Sequence, residues 1–128
     1  MTGLSKIAMI VGDDGASPVE LARWLARFGI DSVHVGGEAE AMTLLDSLVP
    51  DLMVLTARPD SAEMLDFVDR AVRPRGRGKT RVILCSGVGD AKVLSAAVAE
   101  GADECLVSPF DADILRFKLE QTGVLAVQ

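Results

Sequence analysis

The sequence contains few of the residues that build metal sites and disulfides. Its 128 residues include one histidine, His34, and two cysteines, Cys85 and Cys105. The cysteines lie far apart in apolar segments and lack CxxC spacing or a histidine cluster, which argues against the common zinc sites. We therefore expect two buried free thiols, no metal and no cofactor. His34 has no second ligand at suitable spacing, which favours a core or edge position over catalysis.

Long apolar runs are also missing. No segment approaches the roughly 20 apolar residues that a helix needs to cross a bilayer. The N-terminal segment MTGLSKIAMIVGDDG has one lysine and a short apolar run before its acids, unlike a signal peptide. We expect a cytoplasmic protein without a membrane partner. A chain of this length forms one domain, and 49% hydrophobic with 25% charged residues is an ordinary globular composition.

The formal net charge of -6 disfavours nucleic acid as a partner. The segment from Arg70 to Arg81 is positively charged, because it contains six of the thirteen basic residues and no acid. Within it, Pro74 to Thr80 (PRGRGKT) ends like a phosphate-binding loop. Such a loop follows a strand and opens a helix, whereas this segment precedes a strand. A solvated basic loop is favoured, with a patch for anions or an acidic partner as the alternative. No aromatic residues alternate with the bases, as base stacking would require.

Apolar runs and helical periodicity alternate along the chain. Ile7 to Val11, Leu52 to Leu55 and Val82 to Cys85 are nearly unbroken apolar runs, typical of strands covered on both faces. Ser17 followed by Pro18 predicts the start of a helix. The pattern predicts strands at about 6–11, 31–35, 51–56, 81–86 and 103–107, and helices at about 17–28, 38–48, 61–72, 90–100 and 111–122.

Five strands that alternate with five helices predict a doubly wound α/β fold, with its functional crevice at the carboxyl ends of the strands. The predicted core comprises Ile10, Val11, Leu25, Leu45, Val54, Leu55, Ile83, Leu84, Leu106 and Leu115. The helical stripes predicted to face inward are Val19, Leu21, Trp24, Leu25 and Phe28 in the first helix, Ala41, Leu44, Leu45 and Leu48 in the second, and Ile114, Leu115, Phe117 and Leu119 in the last.

Several short motifs occur in a characteristic order. They are IAMIVGDDG, Gly29 at the end of a helix, PDLMVLT from Pro50 to Thr56, VILCSG from Val82 to Gly87, GADECLV from Gly101 to Val107, and SPF from Ser108 to Phe110. In this order they resemble the receiver domains of bacterial response regulators, from Lys6 to about Thr122. The resemblance implies a flavodoxin-like parallel sheet of order 2-1-3-4-5. Helices one and five would cover one face and helices two, three and four the other.

The residues that carry receiver chemistry are mostly missing. A receiver needs an aspartate nucleophile, two acids that hold Mg²⁺, a lysine and a hydroxyl group. Thr56 occupies the nucleophile position and Ser108 the lysine position. Gly12 and Asp13 align with the acidic pair, and the alternative alignment places Asp13 and Asp14 there. In either alignment we expect weak binding of Mg²⁺ and no phosphorylation.

Three further positions complete the comparison. Ser86 keeps the hydroxyl of the family, although a strand-end hydroxyl bonded to nearby backbone is the favoured interpretation. Cys105 replaces the aromatic residue that moves with this hydroxyl in many receivers. Pro109 follows Ser108 where the family has a cis peptide bond, and we expect that bond to be cis here.

The resemblance implies an atypical receiver of a two-component pathway that acts by binding signalling proteins and is not an enzyme. A homodimer or partner surface is expected on the fourth helix, fifth strand and fifth helix, with Val93, Ala96 and Arg116 near its middle. The alternative is a small-ligand-binding or enzymatic flavodoxin-like domain that uses the crevice around Asp13, Asp14, Thr56 and Ser86.

The apolar tail after Gly123, from Val124 to Val127, admits two interpretations. It either leads toward a further domain or packs on this one.

Overall fold

The computed structural model describes residues 6–12, 17–56, 66–72, 74, 79–86, 103–107 and 109–126. Within these ranges lie the strands β1 (Lys6–Val11), β2 (Ile30–Val35), β3 (Leu52–Thr56), β4 (Arg81–Ser86) and β5 (Glu104–Val107), and the helices α1 (Pro18–Arg27), α2 (Glu38–Leu45) and α3 (Ala112–Thr122). A π-helical segment covers Val68–Val72. The helix expected at 90–100 and the first part of the one expected at 61–72 lie outside the described residues.

The five strands form one parallel sheet of order β2-β1-β3-β4-β5. The order predicted from the resemblance is therefore confirmed. Ile10 pairs with His34 of β2 on one side and with Val54 of β3 on the other, so β1 lies inside the sheet. The three central strands are the three unbroken apolar runs, because both of their faces are covered by other elements.

The ten residues predicted for the core are all buried. They divide between two apolar layers, one on each face of the sheet. The first layer packs α2 and residues Phe67 and Val68 against the sheet. The second packs α1 and α3 against it. For the helices that the structure describes, this is the predicted division between the two faces.

The predicted start of α1 is confirmed by its cap. Ser17 Oγ accepts a hydrogen bond of 3.3 Å from the backbone N–H of Glu20, and Pro18 is the first helical residue. The predicted inward position of Val19 is wrong, because its side chain is 69% exposed. Val19 lies two residues before the buried Leu21, which places it about 200° away around the helix. Trp24, also expected inside, is partly buried and contacts Phe110, with ring centroids 5.8 Å apart.

Two of the expectations for α3 are wrong. Leu115 and Leu119 are buried as predicted, but Ile114 is 44% exposed and Phe117 is 55% exposed. Phe117 lies two residues from each buried leucine, so it points away from the sheet. The helix starts at the cap Asp111, whose carboxylate accepts from the N–H of Ile114 at 2.9 Å.

The apolar tail turns back onto the domain. Gly123, with φ +85°, ends α3 in the left-handed conformation that favours glycine. Val124 is buried in the second layer, and the N–H of Leu125 donates to the carbonyl of Leu119 at 3.1 Å. The part of the tail at Val124 and Leu125 therefore packs on the domain.

The second helix is shorter than predicted and ends at Leu45. Leu44 and Leu48 are nevertheless partly buried against the first layer, so the expected inward stripe is retained beyond the helix. In the described ranges, no helix is both long and apolar enough to cross a membrane.

Two aspartates of the sequence motifs accept hydrogen bonds from backbone N–H groups at the amino ends of neighbouring strands. Asp51, from the PDL motif, accepts a hydrogen bond of 2.8 Å from the N–H of Ile7 at the start of β1. Asp103, from the GAD motif, accepts one of 2.7 Å from the N–H of Val82 in β4. Each carboxylate thus satisfies a backbone donor at a strand end. The two acids have a structural function at the edge of the sheet opposite the functional crevice.

Candidate signalling site at the carboxyl ends of the strands

The fold brings three of the predicted site positions to one edge of the sheet. Val11 pairs with Leu55, and Thr56 pairs with Cys85, so Gly12, Thr56 and Ser86 follow one another across the ends of β1, β3 and β4. The side chain of Ser86 and residues 13, 14 and 108 lie outside the described part of the chain. Asp13, Asp14, Ser86 and Ser108 therefore stay sequence predictions.

Thr56, which the motif alignment places at the position of the phospho-accepting aspartate, is only 2% exposed. Its hydroxyl donates a hydrogen bond of 3.0 Å to the carbonyl of Val11. A threonine hydroxyl has one hydrogen to donate, and here the backbone of β1 receives it. The side chain thus ties the ends of two adjacent strands together. It offers no carboxylate that could form an acyl phosphate.

Gly12 lies against Thr56 in a conformation that a side chain would strain. Its φ is +87°, in the left-handed region. A Cβ atom at this position would lie 2.7 Å from the carbonyl oxygen of Thr56 and 3.0 Å from its hydroxyl oxygen. Both the conformation and the close approach therefore require glycine. An acidic side chain could enter this position only if β1 and β3 moved apart.

His34, on the neighbouring strand β2, contacts the backbone of Gly12 from the side opposite Thr56. Its Nε2 lies 3.0 Å from the carbonyl oxygen of Gly12, and since a carbonyl can only accept, Nε2 carries the proton. The N–H of Gly12 donates to the carbonyl of Val35 at 2.9 Å. His34 is exposed on the edge strand β2. We refer to Gly12, His34 and Thr56 together as the Gly12 lock.

The described residues of this edge do not fit the Mg²⁺ ion of the family. A hard divalent cation prefers carboxylate oxygens, whereas Gly12 has no side chain and the Thr56 hydroxyl donates to backbone. Across the part of the chain that the structure describes, no three His, Cys, Asp or Glu side chains converge to hold a metal ion.

The two cysteines are free and lie on neighbouring strands, but they face opposite layers of the core. Cys105 pairs with Leu84 and contacts the first layer, whereas Cys85 is buried in the second. Burial raises the pKa of Cys85 to about 12, with a smaller contribution from Cys105. Cys105 is only partly buried, so the prediction of two buried thiols is confirmed for Cys85 alone.

Beside Cys105, an ion pair joins β5 to α3. Lys118 Nζ lies 3.3 Å from the carboxylate of Glu104. Burial and the nearby Glu104 raise the pKa of the Cys105 thiol, and Lys118 partly opposes that shift. Both thiols are consequently protonated at neutral pH, and a protonated thiol is a poor nucleophile.

Of the three predicted interaction residues, Arg116 lies on α3. Lys118, paired with Glu104, marks the side that faces β5. Arg116 lies two residues earlier, about 200° around the helix, and lines a cavity with Arg27 and Phe28 of the α1 end. The structure thus places Arg116 toward α1 and away from β5. Val93 and Ala96 fall outside the described residues.

No protein-family model matches the chain. Individual proteins of similar sequence do match it. The acid tolerance regulatory protein ActR of Rhizobium meliloti is 32% identical over 124 residues, covering 96% of this chain and 63% of that protein. The photosynthetic apparatus regulatory protein RegA of Rhodobacter capsulatus is 27% identical over 111 residues, covering 87% of this chain and 59% of that protein. The chain thus spans less than two thirds of the length of these curated regulators.

Solved structures agree on the fold. A putative response regulator from Chloroflexus aurantiacus superposes with a TM-score of 0.80 at 20% identity, covering 93% of this chain and 98% of that one. A response regulator receiver protein from Burkholderia phymatum superposes with a TM-score of 0.76 at 22% identity, covering 95% and 98%. The chain thus has the fold of these receiver structures and is similar in sequence to the two curated regulatory proteins.

Proposed function

We propose that this receiver domain signals without being phosphorylated, by binding other proteins. The observation that carries the proposal is the hydrogen bond from Thr56 to the carbonyl of Val11. The side chain at the acceptor position is neutral, buried and committed to backbone. Phosphoryl transfer needs a nucleophile that a metal and a cation can help to activate, and threonine requires in addition a base that takes its proton.

The Gly12 lock also supports the proposal, because it leaves no space for a carboxylate that could help to bind a metal ion. In the family, a carboxylate at the end of the first strand helps to hold the cation. Here Gly12 occupies that position in the favoured alignment, and the contact with Thr56 leaves no space for a side chain. A lock formed by two hydrogen bonds and a close packing contact holds one arrangement of the edge. The domain would then present one binding surface constantly, without a covalent switch.

Exposed apolar side chains beside β5 support a protein-binding surface. Val107 at the end of β5 is 39% exposed, and Ile114 and Phe117 are three residues apart on the outer side of α3. We call Val107, Ile114 and Phe117 the β5–α3 surface. Together with the helix predicted at 90–100, which carries Val93 and Ala96, it would form the expected site for a second copy or a partner protein.

Incubation with acetyl phosphate and Mg²⁺ tests the absence of phosphorylation. We expect the intact mass to remain unchanged, while a receiver with a complete site, treated in parallel, gains one phosphoryl group. Thr56→Asp alone should also remain unmodified or react far more slowly than that control. The new carboxylate would face the carbonyl of Val11, and both groups are hydrogen-bond acceptors, so no proton would join them. The variant would also lack the lysine that stabilises charge in the family. A phosphoryl adduct on a carboxylate of the unaltered chain would refute the proposal.

A further inference from the structure

A cavity of about 360 Å³ opens between α1 and α3, on the side of α3 that faces away from β5. It is lined by Arg27, Phe28, Arg116, Leu125 and Ala126. Phe28 and Gly29 lead directly into Ile30, which pairs with Lys6 at the amino edge of the sheet. The cavity therefore lies toward the edge opposite the Gly12 lock. It takes no part in the receiver chemistry of the family.

The charge of this cavity is opposite in sign to that of the chain. Two arginines, Arg27 and Arg116, are among its lining residues, and no acidic residue is. The Nε of Arg116 contacts the carboxylate of Glu120 at 3.4 Å, one turn further along α3, which orients the guanidinium along the helix. Arg27, Arg116 and Glu120 together carry two positive charges and one negative charge, and an anion in the cavity would be attracted to the remaining positive charge.

The remaining lining residues supply an apolar surface. Phe28 and Leu125 are partly buried against the second core layer, and Ala126 follows on the folded tail. The volume is at the lower end of the range usual for small-molecule sites, roughly 300–1,000 Å³. Arginine pairs with planar carboxylates and with phosphates through two parallel hydrogen bonds, which makes it suited to such groups.

We propose that the cavity binds a small organic anion, with a carboxylate or phosphate group between Arg27 and Arg116 and an apolar body against Phe28 and Leu125. Binding would join α1 to the tail that follows α3. Since the tail is held to α3 through Leu125 and the carbonyl of Leu119, a ligand here would fix the position at which the chain leaves the domain. The proposal does not depend on the absence of phosphorylation.

The test uses the ¹⁵N-labelled chain and nuclear magnetic resonance. Phenyl phosphate, benzoate and the neutral analogue phenol are titrated separately, and the backbone amides of Leu125 and Ala126 are followed. We expect saturable shifts with at least one anion and none with phenol. The tighter anion identifies whether the site prefers phosphate or carboxylate. Arg27→Gln and Arg116→Gln should each weaken binding at least about tenfold, the usual effect of losing a charged hydrogen bond.

Arg23→Gln is the matched control, because Arg23 is also an exposed arginine of α1 but does not line the cavity. It should bind as the unaltered chain does. Arg27→Lys, which keeps the charge and loses the paired donors, should lie between Arg27→Gln and the unaltered chain. Thermal unfolding shows that each variant is folded. No saturable shift with either anion, equal binding of phenol, or an equal loss in Arg23→Gln would each overturn the proposal.

Discussion

The hydroxyl of Thr56 and the carbonyl of Val11 are 3.0 Å apart and join the carboxyl ends of β3 and β1. In a receiver, this is the position from which a carboxylate attacks a phosphoryl donor. In this chain the same position stabilises the sheet. The contribution of this contact can be measured as a free energy of unfolding.

Thr56→Val should lower the free energy of unfolding by about 1–2 kcal/mol, because the variant keeps the shape of the side chain but leaves the carbonyl of Val11 without its donor. Thr56→Ser, which retains the hydroxyl, should preserve that hydrogen bond. Urea denaturation followed by circular dichroism measures both. Thr43→Val on the exposed face of α2 provides the control and should change stability by less than about 0.5 kcal/mol. Equal effects at the two threonines would mean that the buried hydrogen bond contributes little.

Gly12→Ala should destabilise the domain more than Gly29→Ala does. Both glycines have a positive φ, +87° and +82°, so both variants carry backbone strain of about 1–3 kcal/mol. Only at Gly12 would the added Cβ also meet the backbone of Thr56, since nothing lies within 4 Å of the corresponding position at Gly29. Denaturant titrations of the two variants give the difference. If Gly29→Ala is the more damaging change, β1 and β3 do not approach as described.

The two cysteines should differ in reactivity and titration. In the native protein, a thiol reagent should modify Cys105 and leave Cys85 intact, and both should react in urea. The absence of tyrosine allows thiolate absorbance to be followed without phenolate interference. The raised pKa of Cys85 means that its contribution to stability is complete below pH 9 and is lost as pH rises from about 9 to about 12. Cys85→Ala should remove that pH dependence, and Cys105→Ala should leave most of it. Rapid labelling of Cys85 in the native state would contradict its burial.

Asp51→Ala and Asp103→Ala should each lower the free energy of unfolding by about 1–3 kcal/mol, although neither residue lies at the carboxyl ends of the strands. Each variant leaves the N–H of a strand end, Ile7 or Val82, without its acceptor. Hydrogen exchange should identify the effect locally, with faster exchange at Ile7 in the first variant and at Val82 in the second. Asp113→Ala, an exposed acid of α3, is the control. Unchanged exchange at both amides would refute the assigned function.

The β5–α3 surface predicts an effect of charge on association. Phe117→Glu and Ile114→Glu should abolish self-association or partner binding while the domain remains folded, because a carboxylate would have to be desolvated in an apolar contact. Val19→Glu introduces the same charge at an exposed valine of α1 and should have no effect. Light scattering at micromolar concentration measures self-association. A partner that binds all three variants equally would place the surface elsewhere.

For the described residues, the sequence was sufficient for the five strands and for the division of the core. Unbroken apolar runs identified the central strands because both faces of a parallel sheet exclude water, and the cap at Ser17 and the glycine at Gly29 bounded α1. The motifs supplied the strand order. The errors at Val19 and Phe117 have one cause, since an apolar residue two positions from a buried one lies on the opposite side of a helix. Ile114 is next to the buried Leu115, about 100° around the helix, and lies at the border of the buried side.

Tertiary structure alone decided the contacts at the two candidate sites. The substitution of aspartate by Thr56 could be read from its motif, but not that its hydroxyl bonds to Val11, 45 residues away in the chain. His34 was predicted at a core or edge position, and only the pairing of β1 with β2 brings its ring to the carbonyl of Gly12. Arg27 and Arg116 line one cavity because α1 and α3 cover the same face of the sheet. Local sequence determines which residues form each element, whereas packing of distant elements determines which side chains share a space.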